Sequence, residues 1–331
     1  MQVLFLTERD VKPLLSMSEV MDVVETAFRE KALGYVQMPP KIYITYDKYN
    51  GDLRAMPSYL ERLEVSAVKV VNSHPDNPKK FNLPTVMATI VLVDPKNGAP
   101  LAIMSGTWIT AMRTGAAGGI AAKYLARKDS KVIGLVGAGT QAKTQLMALL
   151  SLYERLEEVR VWSRSEEERK KYVSEMEPLC EGRAEMLPVE SVKDAVIDAD
   201  IIVTTTPSRK PLVSDEWVSS GTHITCIGAD APGKEELDPS ILLRAKIYVD
   251  DWEQGSHSGE INVPLAKGII TKENVCGELG EVVAGLKPGR TSPDEITVFT
   301  STGLAVQDAV TAKLAYEKAL AGNLGRLIEM T

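Results

Sequence analysis

The stretch KVIGLVGAGTQA, residues 131–142, constrains the fold of this chain more than any other. Its apolar, β-branched run predicts a buried strand, and Gln141–Leu150 predicts a helix directly after it. Gly137, Gly139 and Ala142 form the pattern G-x-G-x-x-A between the two. Such a turn lets the backbone approach a ligand closely, and the helix N-terminus then attracts a pyrophosphate. The segment predicts a dinucleotide site, with an ordinary tight turn as the alternative.

Composition narrows the class of protein. A chain of 331 residues, 44% hydrophobic and 25% charged, is typical of a soluble globular protein with two domains. The net charge of −7, without a concentrated basic run, argues against nucleic-acid binding. The sequence contains no membrane-length apolar stretch and no signal peptide, so we expect a cytoplasmic protein. Three dispersed cysteines and three histidines favour a reducing compartment and no metal site.

The first hundred residues predict a strand-rich α+β unit. Ser16 and Glu19 form a capping box at the start of a helix that Gly34 ends. KIYITYD alternates in hydropathy, as a half-buried strand does, and Asn50-Gly51 predicts a hairpin after it. Further strands are expected in SAVKVVNSH, Thr85–Asp94 and LAIMSG. A helix dense in glycine and alanine follows from Gly106 onward.

From Lys131 the pattern changes to alternating strands and helices, which predicts a doubly wound parallel sheet. Helices are expected at Glu166–Glu177, at Leu237–Leu243 and within residues 303–320, the last returning to the first domain. The predicted fold class is therefore α/β, with a Rossmann domain at 119–302 and an α+β substrate and dimerisation domain built from 1–118 and 303–331. The expected strands are Lys131–Val136, Val159–Trp162, Ala184–Val189, Asp200–Thr206, Thr222–Gly228, Lys246–Asp250 and Glu295–Phe299.

Ligands of open parallel sheets bind beyond the carboxyl ends of the strands. After the second strand, Ser163-Arg164 stands where a NAD site usually has a ribose-binding carboxylate, which favours NADP or dual use. The alternative is a surface arginine without a role. Hydroxyls of 204–208 follow the fourth strand, and Asp230 follows the fifth. A carboxylate there can move a proton to or from a nitrogen substrate, whereas the alternative is a turn or N-cap aspartate.

Four cationic residues of the first domain suggest an acidic substrate. Lys69 interrupts an apolar strand, and Arg113 lies in a small-residue helix. Buried charges need partners, which are either a structural carboxylate or the carboxylate of a substrate. Lys41 and Arg54 are further candidates, each beside a proline-containing turn. Together with a nicotinamide site, these residues predict an amino or keto acid substrate.

The chain resembles the ornithine cyclodeaminase/μ-crystallin family over nearly its whole length, and within it the archaeal alanine dehydrogenase branch. The matching stretches are QMPPK, DLRAMP, KVVNSHPDNP, LPTVMA, MRTGAAGGIAAKYLAR, GLVGAGTQA, TTTPS, GADAPGKEELD, GEIN and FTSTGLAVQD.

The resemblance implies a role for several of these residues. Lys41 and Lys69 would contact the substrate carboxylate, with Arg54 assisting, and Arg113 would touch both cofactor and substrate. Asp230 would be the proton-transfer acid/base, and Thr302 would lie beside the substrate. Cofactor contacts would come from Thr85, Thr140, Gln141, Thr206, Ile227, Lys234 and Ser301, besides Gly137, Gly139, Ser163 and Arg164. Two departures from the family are Ser163, in place of the ribose carboxylate, and Thr300, in place of an aspartate.

The implied activity is the reversible oxidative deamination of L-alanine to pyruvate and ammonia with NAD or NADP, by a homodimer formed through the first domain's sheet. Two alternatives need the same hydride geometry: reduction of a ketimine such as pyrroline-2-carboxylate, and cyclodeamination of ornithine. A different class is a non-catalytic protein that binds NADP or a small ligand, as μ-crystallin does. A methyltransferase with the same glycine turn is a weaker option that leaves the cations unexplained.

Overall fold

The computed structural model describes residues 1–330, which form 18 strands, 12 α-helices and four short 3-10 helices. The strands are β1 (Gln2–Leu6), β2 (Val36–Gln37), β3 (Ile42–Tyr46), β4 (Gly51–Leu60), β5 (Val65–Ser73), β6 (Val86–Val93), β7 (Pro100–Ser105), β8 (Val132–Val136), β9 (Glu158–Trp162), β10 (Glu185–Pro188), β11 (Ile201–Thr204), β12 (Arg209–Val213), β13 (His223–Cys226), β14 (Glu235–Leu237), β15 (Ala245–Val249), β16 (Val275–Glu278), β17 (Ile296–Thr300) and β18 (Arg326–Glu329).

The α-helices are α1 (Glu8–Val11), α2 (Met17–Ala32), α3 (Asn77–Lys80), α4 (Thr107–Leu125), α5 (Thr140–Leu152), α6 (Glu166–Cys180), α7 (Val192–Val196), α8 (Pro239–Arg244), α9 (Trp252–Ser258), α10 (Asn262–Ala266), α11 (Leu279–Val283) and α12 (Ala305–Ala321). The 3-10 helices are Lys12–Leu14, Asp47–Tyr49, Asp215–Trp217 and Lys272–Asn274. Among the described residues, none of these helices has the length and apolar composition that crossing a bilayer requires.

The chain divides into two compact units. Unit 1 contains Met1–Arg113 and the chain from Leu304 onward, and unit 2 contains Thr114–Gly303. The division falls within α4, in the glycine-rich helix that the sequence places between the two domains. The assignment of substrate binding and dimerisation to the first domain, and of the nucleotide to the second, stays a prediction.

Unit 1 is built on a mixed sheet in the order β18-β1-β7-β6-β5-β4-β2, with β3 also paired to β4. Burial alternates along β5, so that Ala67, Lys69 and Val71 share the buried face. Helix α12 packs on β4, β5 and β6 as well as on α2. The expected return of the last helix to the first domain is therefore confirmed.

The expectation that KIYITYD forms a half-buried strand is wrong. The residues do form β3, paired antiparallel with β4 across the expected hairpin. However, Ile42, Tyr43 and Ile44 are 61%, 43% and 51% exposed. The alternating pattern describes a strand with one covered face, but β3 pairs only with β4, and its residues Ile42–Thr45 are exposed on both faces.

Unit 2 contains eight parallel strands in the order β10-β9-β8-β11-β13-β17-β15-β16. The chain moves outward from β8 through β9 to β10 and then returns to the other side with β11. This reversal is the switch point of a doubly wound sheet, and the predicted α/β class is confirmed. The core lies on both faces of the sheet, around side chains such as Leu135 and Val298.

The sequence analysis missed several strands, notably the two-stranded sheet of β12 and β14, and β16 at the edge of the large sheet. The helix expected at Leu237–Leu243 begins only at Pro239, because Asp238 caps it and accepts the Ser240 N–H at 2.9 Å. Leu237 belongs to β14 instead. These strands are three to five residues long, so they carry too little periodicity to be recognised.

Gly115 permits a close packing of α4 on α5. A Cβ atom at this position would lie 2.5 Å from the Thr144 carbonyl oxygen, which is backbone and cannot rotate away. We expect Gly115→Ala to lower the free energy of unfolding by about 1–3 kcal/mol, the usual cost of overpacking a tight site. Urea unfolding of both proteins measures the difference. Gly255→Ala is the matched control, because its Cβ would meet only the Val249 side chain at 3.5 Å; an equal loss in both variants would contradict the prediction.

Candidate functional site

The glycine turn lies at the switch point of the unit 2 sheet, between β8 and α5. Gly137 has a φ of +122°, a conformation that side chains rarely adopt, and its Cβ would come within 2.3 Å of the Thr205 hydroxyl oxygen. Gly139 is the N-cap of α5, and nothing lies within 4 Å of the position that its Cβ would take. The first N–H groups of α5, including that of Thr140, are orphan donors beside this open space. The turn therefore fits the pyrophosphate of a dinucleotide.

A hollow of about 250 Å³ adjoins this turn, lined by Gly139, Thr140, Lys143, Glu168 and Lys171 among others. It holds charges of both signs: two lysines, and the carboxylates of Glu168 and Glu175. Lys143 pairs with Glu175 across it.

Ser163, where the sequence lacks the usual ribose carboxylate, is buried. Its hydroxyl is 3.0 Å from the Ser165 carbonyl oxygen and 3.2 Å from the carboxylate of Glu168. Arg164 is exposed, whereas Arg169 donates to the Ser163 carbonyl at 2.7 Å. The carboxylate of Glu168, from α6, thus lies beside Ser163, the residue after β9 where a NAD site usually has a ribose-binding carboxylate. The preference between NAD and NADP stays a prediction.

The threonine hydroxyls at the end of β11 contact Glu236, a residue that the sequence analysis missed. Thr204 and Thr206 donate to the carboxylate of Glu236 at 2.8 and 2.7 Å. Ile227, after β13, is buried, and its N–H donates to the Thr204 carbonyl at 2.9 Å. The signal for Glu236 was an acidic residue within KEELD, directly after the GADAPG loop.

Asp230 lies in the loop after β13 and is not a helix N-cap. Its carboxylate accepts a hydrogen bond from the Lys234 ammonium at 2.5 Å, and its side chain is 35% exposed. The pair joins residues four positions apart within one loop. A cation at this distance favours the ionised carboxylate. Asp230 is thus a partly exposed base with a fixed partner, and Lys234 lies beside it.

The loop 301–303 after β17 is held by Asp250, another residue that sequence reasoning missed. This fully buried carboxylate accepts the N–H groups of Thr302 and Gly303 at 2.7 and 2.8 Å and the hydroxyl of Ser301 at 3.0 Å. Thr300, noted as a departure from the family, accepts the N–H of Glu260 with its hydroxyl at 2.8 Å. The predicted residues Ser301 and Thr302 are therefore fixed in place.

The buried cations of unit 1 meet on one carboxylate. The Lys69 ammonium from β5 lies 2.7 Å from Asp308 Oδ2, and Arg113 Nε from α4 lies 3.0 Å from Asp308 Oδ1. Arg113 also donates to the Gln307 side-chain oxygen at 3.0 Å. Asp308 is the structural partner that the sequence analysis left open. Since one carboxylate faces two cations, this cluster of Lys69, Arg113 and Asp308 carries a net positive charge when all three groups are ionised.

Burial lowers the pKa of Lys69 to about 7, and the positive charges of Arg113 and Lys41 act in the same direction, against Asp308. An added anion would therefore be stabilised beside this lysine. Asp308 and Gln307 were missed as well; their signal was two polar residues in the otherwise apolar start of the last helix, LAVQDAV.

The other predicted cations lie on the same sheet. Arg54 in β4 stands opposite Val71, and therefore on the face that Lys69 shares. Its guanidinium forms a two-pronged pair with Asp52 at 2.9 and 3.1 Å. Thr85 lies directly before β6 and accepts the His74 N–H at 2.8 Å with its carbonyl. Unit 1 thus contains Lys41, Arg54, Lys69, Thr85 and Arg113, and unit 2 contains the other predicted site residues.

Gln141, in the first turn of α5, is half-buried. Its side-chain oxygen is enclosed and has no hydrogen-bond partner within residues 1–330. The contacts with cofactor and substrate that the sequence predicts for these residues stay predictions.

Known proteins resemble this chain in both sequence and structure. The chain is 54% identical over 329 residues to alanine dehydrogenase of Archaeoglobus fulgidus, an alignment that covers 99% of each protein. A solved archaeal alanine dehydrogenase dimer with bound NAD superposes with a TM-score of 0.94 at 53% identity, covering 100% of both chains. The Δ1-pyrroline-2-carboxylate reductase of Thermococcus litoralis, solved with NADH and L-proline, gives a TM-score of 0.95 at 45% identity, covering 98% of this chain and 100% of the other.

The family model of ornithine cyclodeaminases and mu-crystallins matches residues 1–323, almost the whole chain. With this match and a relative of 54% identity along its full length, the chain belongs to the ornithine cyclodeaminase/mu-crystallin family.

Proposed function

We propose that this protein is an NAD(P)-dependent oxidoreductase that catalyses the reversible oxidative deamination of L-alanine to pyruvate and ammonia. The observation that carries the proposal is the buried cluster of Lys69, Arg113 and Asp308, whose net positive charge suits the carboxylate of a small acid. The alanine dehydrogenases at 54% and 53% identity support the choice of L-alanine and of a nicotinamide cofactor.

The nucleotide would be held in unit 2. The turn Gly137–Gly139 and the N-terminus of α5 would bind its pyrophosphate, while Thr206, Ile227, Lys234 and Ser301 would lie along the strand ends. When bound, the nicotinamide supplies or accepts a hydride at the substrate's C2 carbon. The open space at Gly139 and the positive φ of Gly137 are the features that fit the pyrophosphate of the dinucleotide.

The chain's own residues would then carry the remaining chemistry. Lys69 and Arg113, assisted by Lys41 and Arg54, would hold the carboxylate of pyruvate and orient its carbonyl. Ammonia adds to C2, and Asp230, whose carboxylate pairs with Lys234 at 2.5 Å, would take protons from the nitrogen of the adduct and pass them to its oxygen, which leaves as water and gives the imine. The one proton that must accompany the hydride would come from solvent, so Asp230 ends the turnover ionised, as it began.

A panel of pyruvate, ammonia, NADH and NADPH tests the proposal through the absorbance of the reduced nicotinamide. We expect oxidation that requires both pyruvate and ammonia, and the reverse reaction with L-alanine. The T. litoralis relative, with its TM-score of 0.95, supports a second candidate, the reduction of Δ1-pyrroline-2-carboxylate. Rapid oxidation with that imine and none with pyruvate plus ammonia would replace the first proposal with the second.

The pH dependence of kcat/KM for pyruvate tests the role of Lys69. Its pKa is lowered to about 7, so the free enzyme holds an ammonium below that pH and a neutral amine above it. We expect kcat/KM to fall as the pH rises from about 6 to about 8, with ammonia kept saturating, because the amine no longer attracts the carboxylate. Lys69→Met should lose activity and this pH dependence together. The exposed control Lys80→Met should keep both the activity and the pH dependence. If kcat/KM of the wild type rose with pH in parallel with that of Lys69→Met, Lys69 would not hold the substrate carboxylate.

A second copy of the chain would cover the exposed strand β3. Ile42 and Ile44 present apolar side chains on the sheet of unit 1, and the archaeal relative is a dimer. In a two-fold interface each substitution occurs twice, so we expect Ile44→Asp to shift the protein from dimer to monomer. Light scattering after size exclusion measures the mass. Leu243→Asp, at an equally exposed leucine of unit 2, is the control; a dimer that survives Ile44→Asp would exclude this surface.

A further inference from the structure

Two buried carboxylates of unit 2, Glu236 and Glu260, have no part in the proposed chemistry. Glu236 is fully buried and accepts four hydrogen bonds. Its Oε1 accepts the N–H and hydroxyl of Thr206 at 2.6 and 2.7 Å. Its Oε2 accepts the Thr204 hydroxyl at 2.8 Å and the Gly228 N–H at 3.0 Å. One carboxylate therefore joins the end of β11 to the loop that follows β13.

The motif GEIN, which the proposed function leaves unexplained, supports the segment that carries Glu236. Glu260 Oε1 accepts the N–H groups of Glu236 and Leu237 at 2.8 and 2.7 Å. Asn262 accepts the Gly233 N–H and donates to the Lys234 carbonyl, both at 2.9 Å. These four bonds fix residues 233–237 from one side, while Glu236 binds the two strand-end loops on the other.

The loop after β11 and the loop after β13 also pack tightly against each other at Gly228. A Cβ at Gly228 would lie 2.0 Å from the Thr206 carbonyl oxygen and 2.5 Å from Glu236 Oε2. The loop that bears Asp230 begins directly after this contact, and its Asp230 N–H donates to the Gly228 carbonyl at 3.0 Å. The position of Asp230 is therefore set through Gly228 and the carboxylate that holds it.

The charge state of the pair follows from its partners. All four groups that contact Glu236 are donors, so the ionised form satisfies them. Glu260 Oε2 is buried and has no hydrogen-bond partner within residues 1–330, which makes it the site for a proton. Burial raises the pKa of Glu236 to about 7 and that of Glu260 well above its usual value. The other titratable groups nearby are Cys226, the pair Asp230–Lys234, and Glu235 with Lys267.

We propose that Glu236 is a positioning residue whose two carboxyl oxygens fix the loops carrying Thr206 and Asp230. Its effect on catalysis rests on the proposed function, whereas its effect on the loops does not. The pKa of Glu236 is about 7 in the closed loops and would return towards its ordinary value once they open, so the closed form holds the proton more tightly. The loops should therefore open more often as the pH rises from about 5 to about 7.

Hydrogen exchange measured by mass spectrometry on the full chain tests the proposal with Glu236→Gln. We expect amides of 204–208 and 227–234 to exchange about tenfold faster than in the wild type, with other segments unchanged, because local opening becomes easier. In the wild type the same segments should exchange faster as the pH rises from about 5 to about 7, after correction for intrinsic rates, and Glu236→Gln should lack this dependence. Glu235→Gln, at a buried carboxylate 3.5 Å from Lys267, is the control that should show neither effect.

Turnover separates this inference from the proposed function. If the wild type reduces pyruvate with ammonia, Glu236→Gln should lower kcat by about tenfold or more with a smaller change in KM for pyruvate, since Asp230 is displaced and the cations of unit 1 are not. If the wild type turns over neither substrate of the panel, the proposed function fails. The exchange experiment still shows whether Glu236 fixes the two loops. Unchanged exchange in the two loops, or an increase throughout the chain, would overturn the proposal.

A second variant, Thr204→Val, applies if Glu236→Gln does not fold. It removes one donor to Glu236 Oε2 and should speed exchange in the same two loops by a smaller factor. No change in those loops would also overturn the proposal.

Discussion

Asp230→Asn should lower kcat for pyruvate and ammonia by about 10²- to 10⁴-fold, the usual contribution of a positioned acid/base. The carboxamide has the same shape but cannot take up and return a proton at neutral pH. The loop should keep its structure, since the Asp230 N–H still donates to the Gly228 carbonyl and Glu236 still holds Gly228. The dissociation constant for NADH should therefore change little. Steady-state kinetics and the fluorescence of bound NADH measure the two quantities.

The matched control is Asp238→Asn, eight positions further along the same segment. Asp238 caps α8 by accepting the Ser240 N–H, and asparagine caps helices about as well as aspartate does. This variant removes the same charge from the same part of unit 2 without touching the proposed proton path. Turnover of Asp230→Asn within about tenfold of the wild type would contradict the acid/base role, because it lies below the range expected for such a group. Equal losses in turnover and in NADH affinity would contradict it as well.

The features that the sequence predicted are local ones. The glycine turn, the N-cap at Ser16 and the burial alternation of β5 each depend on residues within one or two turns of the chain. The doubly wound topology also followed, since alternating strands and helices leave few ways to build a sheet. Strands of five residues with a strong apolar pattern, such as β8, were found.

The residues that the sequence analysis missed act across long separations. Asp308 meets Arg113 over 195 positions, and Asp250 holds Thr302 over 52. Glu260 reaches Leu237 over 23 positions. A buried carboxylate and its donors share no spacing rule along the chain, so no periodicity reveals the pairing. What the sequence does offer is a weaker signal, an acidic residue at the end of an apolar run for Asp250 and inside one for Asp308.

The exposed strand β3 shows the opposite error. Its alternating pattern implied a covered face, and Ile42–Thr45 are exposed on both faces of the strand. Hydrophobic patterning reports that a surface is buried in the functional assembly and does not say by which copy of the chain. A pattern that the monomer leaves unsatisfied is therefore itself an indication of a partner, and the Ile44→Asp experiment tests that reading.

Asp308→Asn should destabilise the protein by about 3–5 kcal/mol at neutral pH, the cost of removing one partner of a buried ion pair. Lys69 and Arg113 would remain in the interior without their shared carboxylate, and Lys69 would lose the group that opposes the lowering of its pKa. The amine should then be neutral at lower pH, so kcat/KM for pyruvate should fall in step with stability. Urea unfolding followed by circular dichroism, together with kinetics at several pH values, measures both effects.

A double-mutant cycle shows whether charge is the cause. In the Asp308→Asn background, Lys69→Met removes a buried ionisable group that has lost its carboxylate partner and should restore part of the lost stability. The same Lys69→Met change in the wild type leaves Arg113 paired with Asp308 and should not stabilise. Asp76→Asn, which breaks an exposed pair with Lys80, serves as the surface control and should leave the stability nearly unchanged, because exposed ion pairs contribute little. If Lys69→Met destabilised both backgrounds equally, the cluster would be held by packing, and the net positive charge that the substrate proposal requires would have no energetic consequence.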